Sequence, residues 1–316
     1  MHKDEIDQGA FREDLKGIIG EPTYSGVLSY MRRKYSRDLA SADLAVTGIP
    51  FDTATTNRPG TRFGPRGIRQ ASTQVSWAQL DDWGFDVFKK LSVIDYGDCP
   101  FDHGRPESVP AAITEHIRKL LDGDVAVLSL GGDHFVTYPI LKAYAEKHGP
   151  LSLIHFDAHS DTWEDEDGRI DHGTMFYHAA KEGLVIPSES IQVGLRTYNK
   201  DTFDFNIIKG PQVHEMGVAA VVKRIKEVVG NKPCYLTFDI DCLDPSYAPG
   251  TGTPVIGGLS THQAQQILRG LKGINLVGMD LVEVAPDYDV GEITSLAGAT
   301  LTLEMIYLYA AGRGLA

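Results

Sequence analysis

Cysteine is nearly absent: Cys99, Cys234 and Cys242 are the only three in 316 residues, and no two stand in a CxxC spacing. An odd, unspaced set excludes a disulfide framework and a zinc knuckle, and it suits a reducing cytoplasm. Positive charge is also short, with 30 Lys and Arg against 43 Asp and Glu and a formal net charge of −13. Such a surface repels nucleic acid and anionic lipid and attracts small cations, so neither a polyanion nor a membrane is expected as a partner. The basic run Arg32, Arg33, Lys34 and Arg37 reads as a solvated helix face.

The charged start Met1-His2-Lys3-Asp4-Glu5 is followed by no apolar segment of the secretory kind. No apolar stretch approaches the ~18 residues that span a bilayer, because Glu304 interrupts the greasy C-terminal segment. The chain is therefore expected to be soluble and cytoplasmic. GxGxxG, the P-loop pattern, HExxH and GxSxG are all missing, which removes the usual support for nucleotide binding and serine hydrolysis. No repeat of 20 to 50 residues is present, so solenoids and propellers are excluded.

What is present is alternation. Short β-branched runs at 44–48, 91–95, 125–130, 151–156, 191–195, 234–238 and 276–279 are separated by longer amphipathic ones. Helices are predicted at 108–121, 138–147, 218–229, 261–271 and 296–311. That pattern is strands joined by helical crossovers, an α/β chain with a largely parallel sheet. Residues 1–42 are polar and irregular and are expected to form an arm or lid, and 43–316 a single domain.

In such a sheet, ligands bind outside the carboxyl ends of the strands, and three of these strands end in acids and imidazoles. They lead into Gly131-Gly132-Asp133-His134, into Asp157-Ala158-His159-Ser160-Asp161, and into Asp239-Ile240-Asp241. Alternate residues of an extended strand share a face, so Asp157, His159 and Asp161 are expected to converge, as are Asp239 and Asp241. Strand-end caps and surface salt bridges are the plain alternative for any one of these motifs. Buried together, several carboxylates are costly unless cations neutralise them. Four Asp and two His suffice for two divalent ions with shared carboxylates, and an oxygen-rich set with two imidazoles suits Mn²⁺. His155 has the parity of Asp157 but lies one pleat deeper, where a hydrogen-bonded supporting role is expected. Asp133 and Asp244 read as structural, and Cys242 as pointing away.

Over 43–311 these motifs resemble the ureohydrolases, the family of arginase, agmatinase and relatives. The matching segments are Gly131-Gly132-Asp133-His134, Phe156 to Asp161, Thr237-Phe238-Asp239-Ile240-Asp241-Cys242-Leu243-Asp244-Pro245, and Asp280-Leu281-Val282-Glu283-Val284-Ala285-Pro286. Asp171-His172-Gly173-Thr174-Met175-Phe176 and Val255-Ile256-Gly257-Gly258-Leu259 look most like bacterial agmatinases, which convert agmatine to putrescine and urea. The resemblance implies a three-layer α/β/α fold and two Mn²⁺ ions. One would be held by His134, Asp157, Asp161 and Asp239, the other by Asp157, His159, Asp239 and Asp241, with Asp157 and Asp239 bridging. It also implies a hydroxide between the metals attacking the guanidinium carbon, His172 as proton shuttle, and Glu283 as the carboxylate that binds the guanidinium. A homo-oligomer, trimer or hexamer, is expected on the same ground.

Family substrates differ at the end remote from the reacting carbon. The run Thr162-Trp163-Glu164-Asp165-Glu166-Asp167-Gly168 puts four acids near the expected mouth, which would repel a carboxylate and favour a dicationic amine. Trp163 and Glu164 are thus candidates for substrate binding. Guanidinobutyrate, guanidinopropionate and arginine are the alternative substrates for the same chemistry.

Overall fold

The computed structural model describes residues 6–17, 20–77, 80–165 and 169–315. Nine strands build one sheet: β1 Lys34–Tyr35, β2 Leu44–Ile49, β3 Val93–Asp98, β4 Ala126–Gly131, β5 Ser152–Phe156, β6 Ile191–Leu195, β7 Asn206–Lys209, β8 Cys234–Asp239 and β9 Leu276–Val282. Their order across the sheet is β1-β3-β2-β4-β9-β8-β5-β6-β7, and every strand pairing among the described residues is parallel. The helices are α1 Gln8–Phe11, α2 Gly64–Val75, α3 Val87–Lys90, α4 Val109–Asp122, α5 Thr137–His148, α6 Met175–Lys181, α7 Gly210–Met216, α8 Val218–Val229, α9 Thr261–Gly270 and α10 Ile293–Gly312.

Strands β2, β4, β5, β6, β8 and β9 are buried along their whole length, which is why they read as continuous apolar runs rather than alternating ones. Alternate side chains feed two cores. Leu44 and Val46 meet Ile68 of α2, Ile225 of α8, Ile267 of α9 and the inner length of α10. Ala45 and Ile49 meet Ile113 of α4, Ile140 of α5 and Phe176 of α6 on the other face. Two helical layers enclosing one parallel sheet make the fold a three-layer α/β/α sandwich.

All seven expected strands are present. The two not foreseen, β1 and β7, are edge strands of two and four residues that are only partly buried, too short to leave a pattern. Helix α2 was also not foreseen, because its dozen residues carry few large apolar side chains. Its start is signalled by Pro65, whose missing N–H costs nothing in the first turn.

Two expectations are corrected. Arg32 and Arg33 do not sit on a solvated helix face; both are fully buried. Arg32 faces Glu21 at 3.6 Å, and the Arg33 guanidinium lies 4.2 Å from the centroid of the Phe88 ring. Their long stems cover apolar surface while backbone carbonyls and an aromatic face receive the charge. Helix α10, with 20 residues, is long and apolar enough to cross a membrane by length and composition, and Glu304 does not interrupt it. The helix is a core element, 83% buried over that window. Glu304 accepts hydrogen bonds from Trp83 Nε1 at 2.6 Å and from Arg269.

Candidate metal centre

The four central strands β4, β9, β8 and β5 end side by side, and the site grows from their carboxyl ends. After β4 the chain turns back through Gly132, where a Cβ would fall onto the carbonyl oxygen of Phe51, so only glycine lets the two segments pass. His134 follows at once, fully enclosed. Strand β5 stops at Phe156, and Asp157, His159 and Asp161 lie in the loop beyond, with Asp161 in the left-handed region at φ 51°. Asp239 ends β8, while Asp241 sits in the single 3₁₀ turn Ile240–Cys242. The acids do converge, but through turns rather than through the pleat of an extended strand.

His134 Nδ1 lies 3.0 Å from Asp157 Oδ2, 3.1 Å from Asp161 Oδ2 and 3.2 Å from Asp239 Oδ2. It makes no hydrogen bond of acceptable geometry to any of them. One imidazole nitrogen and three carboxylate oxygens aimed at a common point, without bonding one another, is the arrangement of a ligand set. A second cluster adjoins it: His159 Nδ1 is 3.3 Å from Asp157 Oδ1 and 3.1 Å from Asp241 Oδ2. Asp157 belongs to both, one oxygen to each. His134, Asp157 and Asp161, together with His155, lie close enough to hold one metal ion, and Asp157, His159 and Asp241 another.

The electrostatics point the same way. Burial, and then the neighbouring carboxylates, push Asp161 up to about 7 and raise Asp239 and Asp241. Burial alone would lower His159, yet Asp241 and Asp157 hold it up at about 12. A site that draws protons this strongly is short of positive charge, and divalent cations supply it. His155 supports the cluster from below. Its Nε2–H donates to Asp157 Oδ2 at 2.7 Å, while Nδ1 accepts from Gln192 Nε2 at 3.0 Å. Burial brings its pKa down to about 4, which suits a neutral donor.

Glu283 follows β9 in the left-handed region at φ 64°, a conformation a long side chain adopts only under constraint. Its Oε1 accepts from the His134 backbone N–H at 2.8 Å and from His172 Nδ1 at 2.9 Å. Its Oε2 is buried without a partner. The other nitrogen of His172 meets the Thr56 N–H at 3.1 Å and the Thr56 hydroxyl at 2.7 Å. Burial opposes the charged imidazole, but Glu283 outweighs it and holds the pKa at about 9. A cleft of about 300 Å³ opens over this floor, lined by Thr56, His159, Asp161, Trp163, Glu164, Arg169, Asp171, His172, Gly173, Thr174, Asp239 and Thr253.

Residues 42–307 match the arginase family. The chain belongs to that family. A relative from Chromobacterium violaceum named agmatinase is 54% identical over 94% of this chain and 93% of its own length. A crystal structure described as a hypothetical agmatinase from Burkholderia thailandensis superimposes with a TM-score of 0.96, at 52% identity, over 98% of this chain and 99% of that one. The proclavaminate amidino hydrolase of Streptomyces clavuligerus shares the fold at a TM-score of 0.86 and 36% identity, over 92% and 99% of the two chains.

In this arginase-family hydrolase the four expected acids and both imidazoles lie in the two clusters, with His172 and Glu283 hydrogen-bonded beside them. Of the acidic run, Glu164 lines the cleft, whereas Asp165 is buried against His178 and Arg169. Glu166 and Asp167 lie outside the described residues. Asp133 accepts from the Ala54 N–H, and Asp244 is held near 2 by the groups of Ser246, Gly257 and Gly258 despite some burial. The Cys242 thiol faces the Val193 carbonyl at 3.5 Å, and burial, with Asp157, Asp241 and Asp239 nearby, raises its pKa. Sequence reasoning passed over Thr56, Arg169 and Thr253, loop residues with no spacing to betray them. Asp171 stood beside His172 without being singled out.

Proposed function

We propose that this protein hydrolyses agmatine to putrescine and urea with two Mn²⁺ ions. The observation that carries the reading is His134 Nδ1, buried and unbonded at 3.0 to 3.2 Å from three carboxylate oxygens, next to a second cluster that shares Asp157. His134, Asp157, Asp161 and Asp239 would hold one ion, and Asp157, His159, Asp239 and Asp241 the other. Oxygen donors with two imidazoles favour Mn²⁺. When bound, such ions lower the pKa of water so that hydroxide is available near neutral pH, which a poor electrophile such as a guanidinium needs.

The chain's own groups supply the rest. Glu283 Oε2 offers an unpartnered acceptor to a guanidinium N–H. His172, whose charged form Glu283 favours, would release Nε2 from the Thr56 N–H on taking a proton there and hand that proton to the departing amine. Trp163 and Glu164, with Asp171, form the wall that would face the ammonium end of agmatine. The agmatinases at 54% identity support that choice of substrate. A homo-oligomer in the cytoplasm is part of the same reading, and size-exclusion chromatography tests the assembly.

Arg169 favours a second reading. Its side chain is 65% exposed and lines the cleft, so a guanidino acid would find a cation there. Urea release from Mn²⁺-loaded protein with agmatine, arginine and 4-guanidinobutyrate at equal concentration separates the two. Dominant turnover of agmatine is expected; preference for a guanidino acid would keep the chemistry and replace the substrate.

A further inference from the structure

One polar chain runs down from the metal centre into the sheet and has no part in the chemistry described so far. The parallel register of β8 and β9 sets Thr237 directly beside Asp280, and Thr237 lies two residues before Asp239, on the same face of β8. Thr237 Oγ1 is 2.5 Å from Asp280 Oδ1 and 2.8 Å from His134 Nε2. The other oxygen of Asp280 accepts from the Thr137 hydroxyl at 2.9 Å and the Tyr235 hydroxyl at 2.8 Å. All five side chains of this chain are fully buried or nearly so.

The hydrogen positions follow from donor and acceptor arithmetic. Asp280 receives three hydroxyl donors and returns none, so it acts as a carboxylate acceptor. Thr237 therefore spends its only hydrogen on Asp280 and presents a lone pair to His134. His134 Nε2 must carry the ring proton, which leaves Nδ1 with the lone pair that faces Asp157, Asp161 and Asp239. With the opposite tautomer, Nδ1–H would point at the space a cation needs, and two lone pairs would oppose each other between Nε2 and Thr237.

We propose that Thr237 and Asp280 are positioning residues that fix the tautomer and ring orientation of His134, and so set the affinity of the centre for its metal. The inference rests on the two-metal reading above. Supporting partners of this kind, one bond removed from a ligand, change metal affinity by roughly 10- to 100-fold when lost. Among the described residues, Thr237 is the sole hydrogen-bond partner of His134 Nε2.

The test compares Thr237→Val, which keeps the shape and loses the hydroxyl, with Thr237→Ser, which keeps the hydroxyl. Apparent Mn²⁺ dissociation constants are measured by competition with a chelating dye, and metal-free melting temperatures show that each variant is folded. Thr237→Val is expected to bind about 10- to 100-fold more weakly, with Thr237→Ser within about threefold of the parent. Asp280→Asn, which cannot accept from all three hydroxyls, is expected to fall with Thr237→Val. Parent-like affinity in Thr237→Val would overturn the proposal, as would equal losses in the Val and Ser variants. Parent protein that takes up no Mn²⁺ would overturn the metal reading itself, a result separate from either.

Discussion

His172 Nδ1 and Glu283 Oε1 are 2.9 Å apart, and this one bond ties the proposed proton donor to the proposed acceptor of the guanidinium. The carboxylate keeps the imidazole charged up to about 9. Glu283→Gln removes that charge, so the imidazolium is lost at lower pH. The alkaline limb of the pH–rate profile is expected to move down by at least one unit, and kcat/KM for agmatine to fall by about 100-fold or more. An unmoved alkaline limb would exclude His172 as the proton donor.

Removing metal should cost stability as well as activity. Four buried carboxylates repel one another until cations arrive, so ligand binding to the folded state stabilises it by mass action. At a free Mn²⁺ concentration of 100 Kd the gain is about 2.7 kcal/mol per ion. Differential scanning calorimetry before and after chelation should record a fall in Tm of several degrees, restored by Mn²⁺, with urea production from agmatine abolished in between.

A second pH effect lies far from the cleft. Burial brings His116 down to about 4 from its ordinary 6.5, and its Nε2–H donates to Thr47 Oγ1 at 2.8 Å. The folded state thus binds this proton less readily than the unfolded one. Stability is intact above pH 6.5 and is lost as pH falls from there towards 4, by about 3 kcal/mol in full. The difference in denaturant midpoint between the parent and His116→Gln should therefore narrow over that range, since the variant lacks this acid-dependent loss. A constant difference would exclude it.

Glu304 tests the core in another way. It is fully buried in α10, where Arg269, Trp83 and Gln265 all donate to it. Glu304→Ala leaves Arg269 with Asp82 alone and strands the buried Trp83 N–H, and should destabilise the fold by about 1–3 kcal/mol, read from urea denaturation.

The strands and the acid-imidazole clusters were legible in the sequence because both leave local marks: apolar runs for buried parallel strands, and acids grouped directly after them. Convergence of Asp157, His159 and Asp161 was foreseen for a different reason from the one found. Strand parity was invoked, but the left-handed turn at Asp161 and the 3₁₀ turn carrying Asp241 do the work. Arg32 and Arg33 were misread because a charged run carries no sign of the partners that bury it, Glu21 and Phe88, which are set by tertiary contacts. The cleft walls were largely illegible for the same reason. Thr56 reaches His172 across 116 positions of sequence, and no local pattern encodes such a distance.

The strand order has a consequence for biosynthesis. β9, formed by Leu276–Val282, lies between β4 and β8 and, among the described strands, alone joins β1-β3-β2-β4 to β8-β5-β6-β7. A nascent chain emerging from the ribosome can therefore pair each half early, but the slot between them stays open until residue 282 is available. His134 meets Asp239 only after that late insertion, so the proposed metal site is assembled late in folding, and a chain truncated before β9 exposes two unpaired central edges to aggregation.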